Sequence, residues 1–108
     1  MIVDVLYFEG CPSYEALLPR LRELVAEAGL GEDAIALHLI ASPQQAEEQR
    51  FLGSPTVRVD AVDVDPESRS RDDFGIKCRI YRSAEGQAHV PPEDWLRAAL
   101  GIRPRTTT

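Results

Sequence analysis

Residues 2–14, IVDVLYFEGCPSY, decide the fold class, because they read as a short buried strand that runs through a turn into a helix. Residues 2–8 are rich in β-branched and aromatic side chains, which is typical of a central strand. Pro12 suits the first turn of the helix that follows. The sequence therefore predicts a strand-to-helix unit with Cys11 at the junction.

Hydrophobic spacing predicts the next three elements. Apolar residues recur at helical spacing over residues 17–28, which predicts an amphipathic helix that ends at Gly29 and is bent by Pro19. Alternating apolar residues over residues 34–40 predict a second strand. Ser42, followed by a proline, then predicts the start of a short second helix.

The second half of the chain predicts two more strands and a last helix. The strands are expected over residues 56–60, with an extension through Val62 and Val64 after a break as an alternative, and over residues 77–82. The polar stretch at residues 65–73 between them is expected to be a solvated loop or a small insertion. A pair of prolines and two acidic residues open the helix that ends at Gly101. The order is βαβαββα, which predicts an α/β fold with a mixed four-stranded sheet flanked by helices.

Length and charge restrict the class of protein. The 108 residues predict one domain over residues 1–101, followed by a flexible tail at residues 102–108. The formal net charge of -6 disfavours nucleic acid as a partner. The apolar stretch at residues 2–8 is too short for a signal or a membrane span, so we expect no membrane association and a cytoplasmic location.

Cys11 and Cys78 are the two cysteines, and their wide separation without a secretory signal does not indicate a structural disulfide. The start of a helix presents free N–H groups and the positive end of the helix dipole, which favours a thiolate at Cys11. Glu9 and Glu15 oppose this effect. We therefore expect a modest activation of the Cys11 thiol.

The acidic residues and the histidines predict no metal site. Asp63 and Asp65 belong to an acidic turn that lacks the glycine and the final glutamate of a calcium loop. His38 and His89 have no zinc-ligand spacing to either cysteine. Two interpretations stay open for a group of four arginines: a small basic cluster, or ion pairs with Asp72 and Asp73. The four are Arg69, Arg71, Arg79 and Arg82.

Three features together resemble the thioredoxin-like superfamily, which includes thioredoxins and glutaredoxins. Cys11-Pro12-Ser13-Tyr14 resembles the CxxC turn of that family with its second cysteine replaced by tyrosine. Pro19 stands where thioredoxins carry the proline that bends the first helix, and Ser54-Pro55-Thr56 resembles their cis-proline segment. The element order is also similar, and the family's sheet order of second, first, third and fourth strand is expected.

The resemblance implies monothiol oxidoreductase chemistry. Cys11 is then the nucleophile in thiol–disulfide exchange or protein thiol modification, with protein or small-molecule thiols and disulfides as partners. Pro12, Tyr14, Ser54, Pro55 and Thr56 line the substrate groove, in which the Ser54 backbone pairs with an extended substrate. Because Tyr14 cannot resolve a mixed disulfide, an external thiol or Cys78 has to do so.

Cys78 has two interpretations. If the strand over residues 77–82 pairs back along the third strand, Cys78 lies roughly 13 Å from Pro55 at strand rise, which is too far for a disulfide. Cys78 is then a small buried core residue. Alternatively, the loop before it brings Cys78 closer, as a resolving thiol or a second ligand.

Other functions stay open at this point. Glutathione has weak support as a cofactor, because residues 83–89 lack the glycine-rich segment by which glutaredoxins bind it. The same fold without turnover predicts a module that binds a peptide or a soft metal. Some similar small bacterial proteins carry an alkylmercury-lyase-like label, which implies mercury chemistry as a further alternative.

Overall fold

A mixed four-stranded sheet forms the centre of the computed structural model, which describes residues 1–103. Its strands are β1 (Val3–Tyr7), β2 (Ile35–Leu39), β3 (Thr56–Val59) and β4 (Val62–Asp63), and their spatial order is β2-β1-β3-β4. β1 runs parallel to β2 and antiparallel to β3, while β3 runs antiparallel to β4. The predicted α/β class and mixed sheet are therefore confirmed.

Three α-helices and a separate hairpin complete the described chain. The helices are α1 (Pro12–Glu27), α2 (Pro43–Glu48) and α3 (Glu93–Leu100). A two-stranded sheet consists of β5 (Tyr81–Ser83) and β6 (Gly86–Ala88), and short 3₁₀ turns occur at Glu32–Ala34 and Ser68–Ser70.

The prediction of the fourth strand is wrong. Residues 77–82 do not join the central sheet as its fourth strand, a place taken by β4. Asp60 and Ala61 adopt φ of 51° and 70°, which is the conformation of a tight hairpin turn, so β3 folds back directly into β4. This turn carries no glycine, and glycine is the usual sequence signal for it.

A buried hydrophobic cluster lies on each face of the sheet. One face packs against α1 and α3 around a buried cluster formed by Val3, Val5, Leu17, Leu21, Leu24, Val25, Val57, Val59, Leu96 and Leu100. The other face carries a smaller buried cluster, Leu6, Ile40, Ala46 and Phe51, which includes a residue of α2. The alternation of side chains along β1 assigns its odd residues to the first face and Leu6 to the second.

An ionic clamp joins α1 to α3. Arg20 donates to Glu93 from Nε and Nη2 at 2.8 and 2.9 Å, and Arg97 donates to Glu93 from Nε at 2.9 Å. Arg97 also donates to Glu27 at 2.6 Å. The hydrogen bonds from Arg20 and then from Arg97 lower the pKa of Glu93 to about 2.

The chain remains attached to the core after α3. Gly101 ends the helix with φ of 74°, and the Ile102 N–H donates to the Arg97 carbonyl at 3.0 Å. Ile102 also packs against the larger buried cluster. Of the tail predicted at residues 102–108, residues 104–108 lie outside the described residues. Among residues 1–103, none of the helices has the length and apolarity needed to cross a membrane.

Candidate thiol site

Cys11 lies at the start of α1, directly after the loop that follows β1. It is the N-cap residue of this 16-residue helix, and its Sγ accepts a hydrogen bond from the Tyr14 N–H at 3.4 Å. Its own N–H donates to the Phe8 carbonyl at 3.3 Å, which closes the loop. The sulfur therefore takes the place that the sequence predicts, next to the free N–H groups of the helix.

The Cys11 side chain is inaccessible in this conformation. Its exposed fraction is 0%, although Pro12 next to it is exposed. Tyr14 is half-buried and stacks on Tyr7, with ring centres 3.9 Å apart and planes 6° apart. Desolvation, followed by the neighbouring Tyr7, raises the pKa of Tyr14. A disulfide cannot reach the Cys11 sulfur until the surrounding residues move.

The Ser54–Pro55 peptide bond is cis, and this segment lies at the same end of the sheet as Cys11. The last residue pair of the β1–β3 ladder is Leu6 with Thr56. Pro55 comes just before Thr56, so it lies beside the end of β1 that leads into α1. Ser54, Pro55 and Thr56 are all buried. The Tyr81 hydroxyl donates a hydrogen bond to the Pro55 carbonyl, and burial raises the pKa of Tyr81.

The backbone of Ser54 is already paired within the chain. Its N–H donates to the Lys77 carbonyl at 2.8 Å, and its carbonyl accepts from the Arg79 N–H at 3.0 Å. These bonds form a parallel bridge between Ser54 and Cys78. Contrary to the expectation, the Ser54 backbone is not free to pair with a substrate, and the three residues do not form an open groove.

The first interpretation of Cys78, a buried core residue far from Pro55, is therefore wrong, whereas its position agrees with the second, in which the preceding loop brings it closer. It lies beside Ser54 rather than several residues away along a fourth strand, and its side chain is exposed rather than part of the core. The structure brings Cys11 and Cys78 to one end of the sheet, and both are free thiols. The accessible sulfur of the two is Cys78.

Gly53 permits the close approach of residues 77–79. Its φ is 129°, and a Cβ at this position would lie 2.9 Å from the Arg79 Cα. Only a glycine combines this backbone conformation with that contact. The sequence pattern gives no sign of this contact, because it depends on residues far apart in the chain.

Arg79 belongs to the predicted basic cluster, but its complete burial is not predicted by the sequence. Its Nη1 donates to Asp63 at 2.8 Å and to Thr56 Oγ1 at 3.1 Å, and its Nη2 donates to Asp65 at 3.3 Å. The guanidinium lies 4.4 Å from the centre of the Tyr81 ring. The predicted acidic turn is thus not simply solvated, because its carboxylates neutralise a buried cation.

Cys78 is among the residues that line a cavity of about 430 Å³. The cavity is lined by Leu52, Asp65, Glu67, Arg71, Asp73, Lys77, Cys78, Arg79, Ile80 and Arg82. Among residues 1–103, no group of three or more His, Cys, Asp or Glu side chains is arranged to hold a metal ion. His38 instead pairs with Asp4 at 2.7 Å, and His89 Nδ1 lies 3.1 Å from the Arg79 carbonyl oxygen.

Comparison with known proteins gives no relative from which a function could be transferred: no family model, no curated protein and no solved structure matches the chain.

Proposed function

We propose that this chain is a thioredoxin-like protein that carries out thiol–disulfide exchange, with Cys11 as its nucleophile. The observation that carries the proposal is the position of the Cys11 sulfur at the N-cap of α1, where it accepts the Tyr14 N–H. A thiolate gains from such a donor and from the helix dipole, and the thiolate is the form that attacks a disulfide.

The cysteine positions support a two-stage exchange. The Cys11 thiolate attacks one sulfur of a disulfide, forms a mixed disulfide and releases the other sulfur as a thiolate. A second thiol then attacks the mixed disulfide, releases the substrate sulfur and becomes disulfide-bonded itself. Tyr14 cannot take this part, so either an external thiol or Cys78 does, and Cys78 lies at the same end of the sheet.

Exchange at Cys11 requires a local opening, because its side chain is fully buried. The first turn of α1 is the segment to move, since Pro12 at its surface is exposed and Tyr14 is only half-buried. Proteins open locally as well as globally, and local openings span free energies from near zero up to that of global unfolding. The proposal thus includes a minor conformation in which the Cys11 sulfur is accessible.

Reduction of a protein disulfide such as insulin by the full chain, with dithiothreitol as the electron source, tests the proposal. Cys11→Ser is the informative variant, because serine is itself a good N-cap residue and preserves α1. We expect Cys11→Ser to lose at least about 90% of the activity, since a hydroxyl does not attack disulfides. Cys78→Ser separates the two resolving routes: lost turnover assigns resolution to Cys78, and retained turnover to the external thiol.

The burial of Cys11 favours a second candidate, a binding module of the same fold without turnover. In that case the sulfur is a small apolar core group that caps a helix. The same assay separates the two candidates. Wild-type protein that reduces insulin no faster than Cys11→Ser supports the binding module and contradicts the exchange enzyme.

A further inference from the structure

The cavity that Cys78 helps to line combines an exposed thiol with charged side chains, and its size suits a small molecule. Its volume of about 430 Å³ lies within the usual range for small-molecule sites, roughly 300 to 1,000 Å³. Cys78 is exposed on its wall. The cavity is thus large enough for a disulfide of two short arms beside an accessible sulfur.

Most of the charges in the cavity are already paired. Asp73 accepts from Arg71 at 2.7 Å and from Lys77 at 2.9 Å. Arg79 pairs with Asp65 at 3.3 Å and with Asp63 outside the cavity. These groups therefore neutralise one another and add little net charge for a ligand.

Two charged residues that line the cavity form no ion pair with the described residues. Within residues 1–103, neither the Arg82 guanidinium nor the Glu67 carboxylate forms an ion pair. Arg82 is exposed, and Glu67 is exposed as well. The cavity thus offers one cation, one anion and one thiol to a ligand.

Buried polar atoms without partners lie next to residues 77–79, called the Cys78 segment below. In the described part of the chain, Ser54 Oγ and Arg79 Nε are buried and have no hydrogen-bond partner. Arg79 lines the cavity, and Ser54 is the residue that bridges to Cys78. Buried polar groups are normally hydrogen-bonded, so these two atoms are exceptions beside Cys78.

The geometry points to Cys78 as an exchange site for small zwitterionic disulfides, that is, disulfides whose ends carry both a carboxylate and an ammonium group. The carboxylate pairs with Arg82 and the ammonium group with Glu67. The Cys78 thiol loses its proton to solvent, and its sulfur attacks the disulfide. A new S–S bond forms at Cys78, the bond within the ligand breaks, and one half of the ligand leaves as a thiolate.

This inference deepens the proposed exchange function, because it names a substrate class for the accessible thiol. It does not require turnover at Cys11. If the wild-type chain shows no Cys11-dependent insulin reduction but Cys78 still prefers the charged disulfides, only the proposed function is contradicted. If the chain reduces insulin through Cys11 but Cys78 reacts equally with charged and uncharged disulfides, only this inference is contradicted.

Four disulfides test the inference with the full chain: cystine carries both charges, 3,3′-dithiodipropionate the carboxylate, cystamine the ammonium group, and 2-hydroxyethyl disulfide neither. The rate of mixed-disulfide formation at Cys78 is measured by acid quench and peptide mass, and is divided by the rate of the same probe with 2-mercaptoethanol. We expect cystine to give the highest ratio. Each matching charge should contribute about three- to tenfold at low salt, and less at about 1 M salt.

The variants assign each charge to a residue. Arg82→Gln should lower the ratios for cystine and dithiodipropionate by about three- to tenfold, and Glu67→Gln those for cystine and cystamine. Arg22→Gln, which removes an exposed arginine of α1, is the matched control and should change nothing. Equal ratios for cystine and 2-hydroxyethyl disulfide, equal effects of Arg82→Gln and Arg22→Gln, or a label on Cys11 instead of Cys78 would overturn the inference.

Discussion

Arg79 is the residue on which the organisation of the Cys78 segment depends. Its guanidinium is fully buried between Asp63, Asp65 and the Tyr81 ring, while its backbone N–H binds the Ser54 carbonyl. The side chain thus fixes the loop after β4, and the backbone fixes the bridge beside Cys78. One residue connects both parts of the site.

Arg79→Met should destabilise the protein by about 3–5 kcal/mol, because it leaves two carboxylates largely buried without a cation. Urea denaturation measures the change. Arg69→Met, at an exposed arginine of the same loop, is the control and should stay within about 0.5 kcal/mol of wild type. A loss below about 1 kcal/mol for Arg79→Met would show that the buried ion pairs do not hold the loop.

Gly53→Ala should destabilise the protein more than Gly29→Ala does. Both glycines have positive φ, 129° and 82°, so both substitutions strain the backbone. Only the Cβ at Gly53 would also lie 2.9 Å from the Arg79 Cα, whereas nothing lies within 4 Å of one at Gly29. Thermal unfolding of the two variants measures the effect of this contact. Equal decreases in stability for Gly53→Ala and Gly29→Ala would contradict a role for it.

At the level of elements, the clamp of Glu93 with Arg20 and Arg97 holds α3 against α1. These hydrogen bonds lower the pKa of Glu93 from the ordinary 4.5 to about 2. A carboxylate with a lowered pKa stabilises the fold above its unfolded-state pKa, and this contribution is lost as the pH falls through the folded-state value. The relevant window is therefore from about pH 4.5 down to about pH 2.

Glu93→Gln should lower the unfolding free energy at pH 7, and the difference from wild type should shrink as the pH falls from 4.5 to 2. Glu23→Gln is the matched control, since the exposed Glu23 lies 3.6 Å from the same Arg20 and makes a weaker pair. Urea denaturation at several pH values measures both variants. A Glu93→Gln effect that is constant over this window would contradict the clamp.

The elements differ in how well the sequence predicts them. The sequence predicts the three helices, because capping residues and helical spacing are local signals. Ser42 before Pro43, at the start of α2, is an example. Residues 77–82 are wrongly predicted as the fourth strand of the central sheet, because the turn at Asp60-Ala61 has no glycine to mark Val62–Asp63 as a separate strand. The actual pairing of residues 77–82 depends on Gly53 and Arg79, which lie far apart in the sequence.

For the whole molecule, the sheet topology gathers the candidate site at one end. β1 leads into Cys11, and β3 begins after Ser54, so the antiparallel β1–β3 pair brings these segments together. The sequence predicts the position of Cys11, because a helix start is a local feature. It does not predict that Cys11 is buried and Cys78 exposed, since exposure depends on which segments pack over each sulfur.

The two sulfurs should therefore differ in how they become accessible. Cys78 should react in the folded protein at a rate close to that of a free thiol. The fully buried Cys11 should react more slowly, through a local opening of the first turn of α1. Local openings expose little surface, so their rate depends weakly on denaturant, unlike global unfolding.

Alkylation by iodoacetamide in increasing, sub-denaturing urea, followed by peptide mass, distinguishes these two routes for Cys11. If Cys11 is the nucleophile of an exchange protein, its modification rate should be nearly constant at low urea and well above the rate of global unfolding. A Cys11 rate that rises steeply from zero urea and equals the global unfolding rate would contradict exchange at Cys11 in the folded protein.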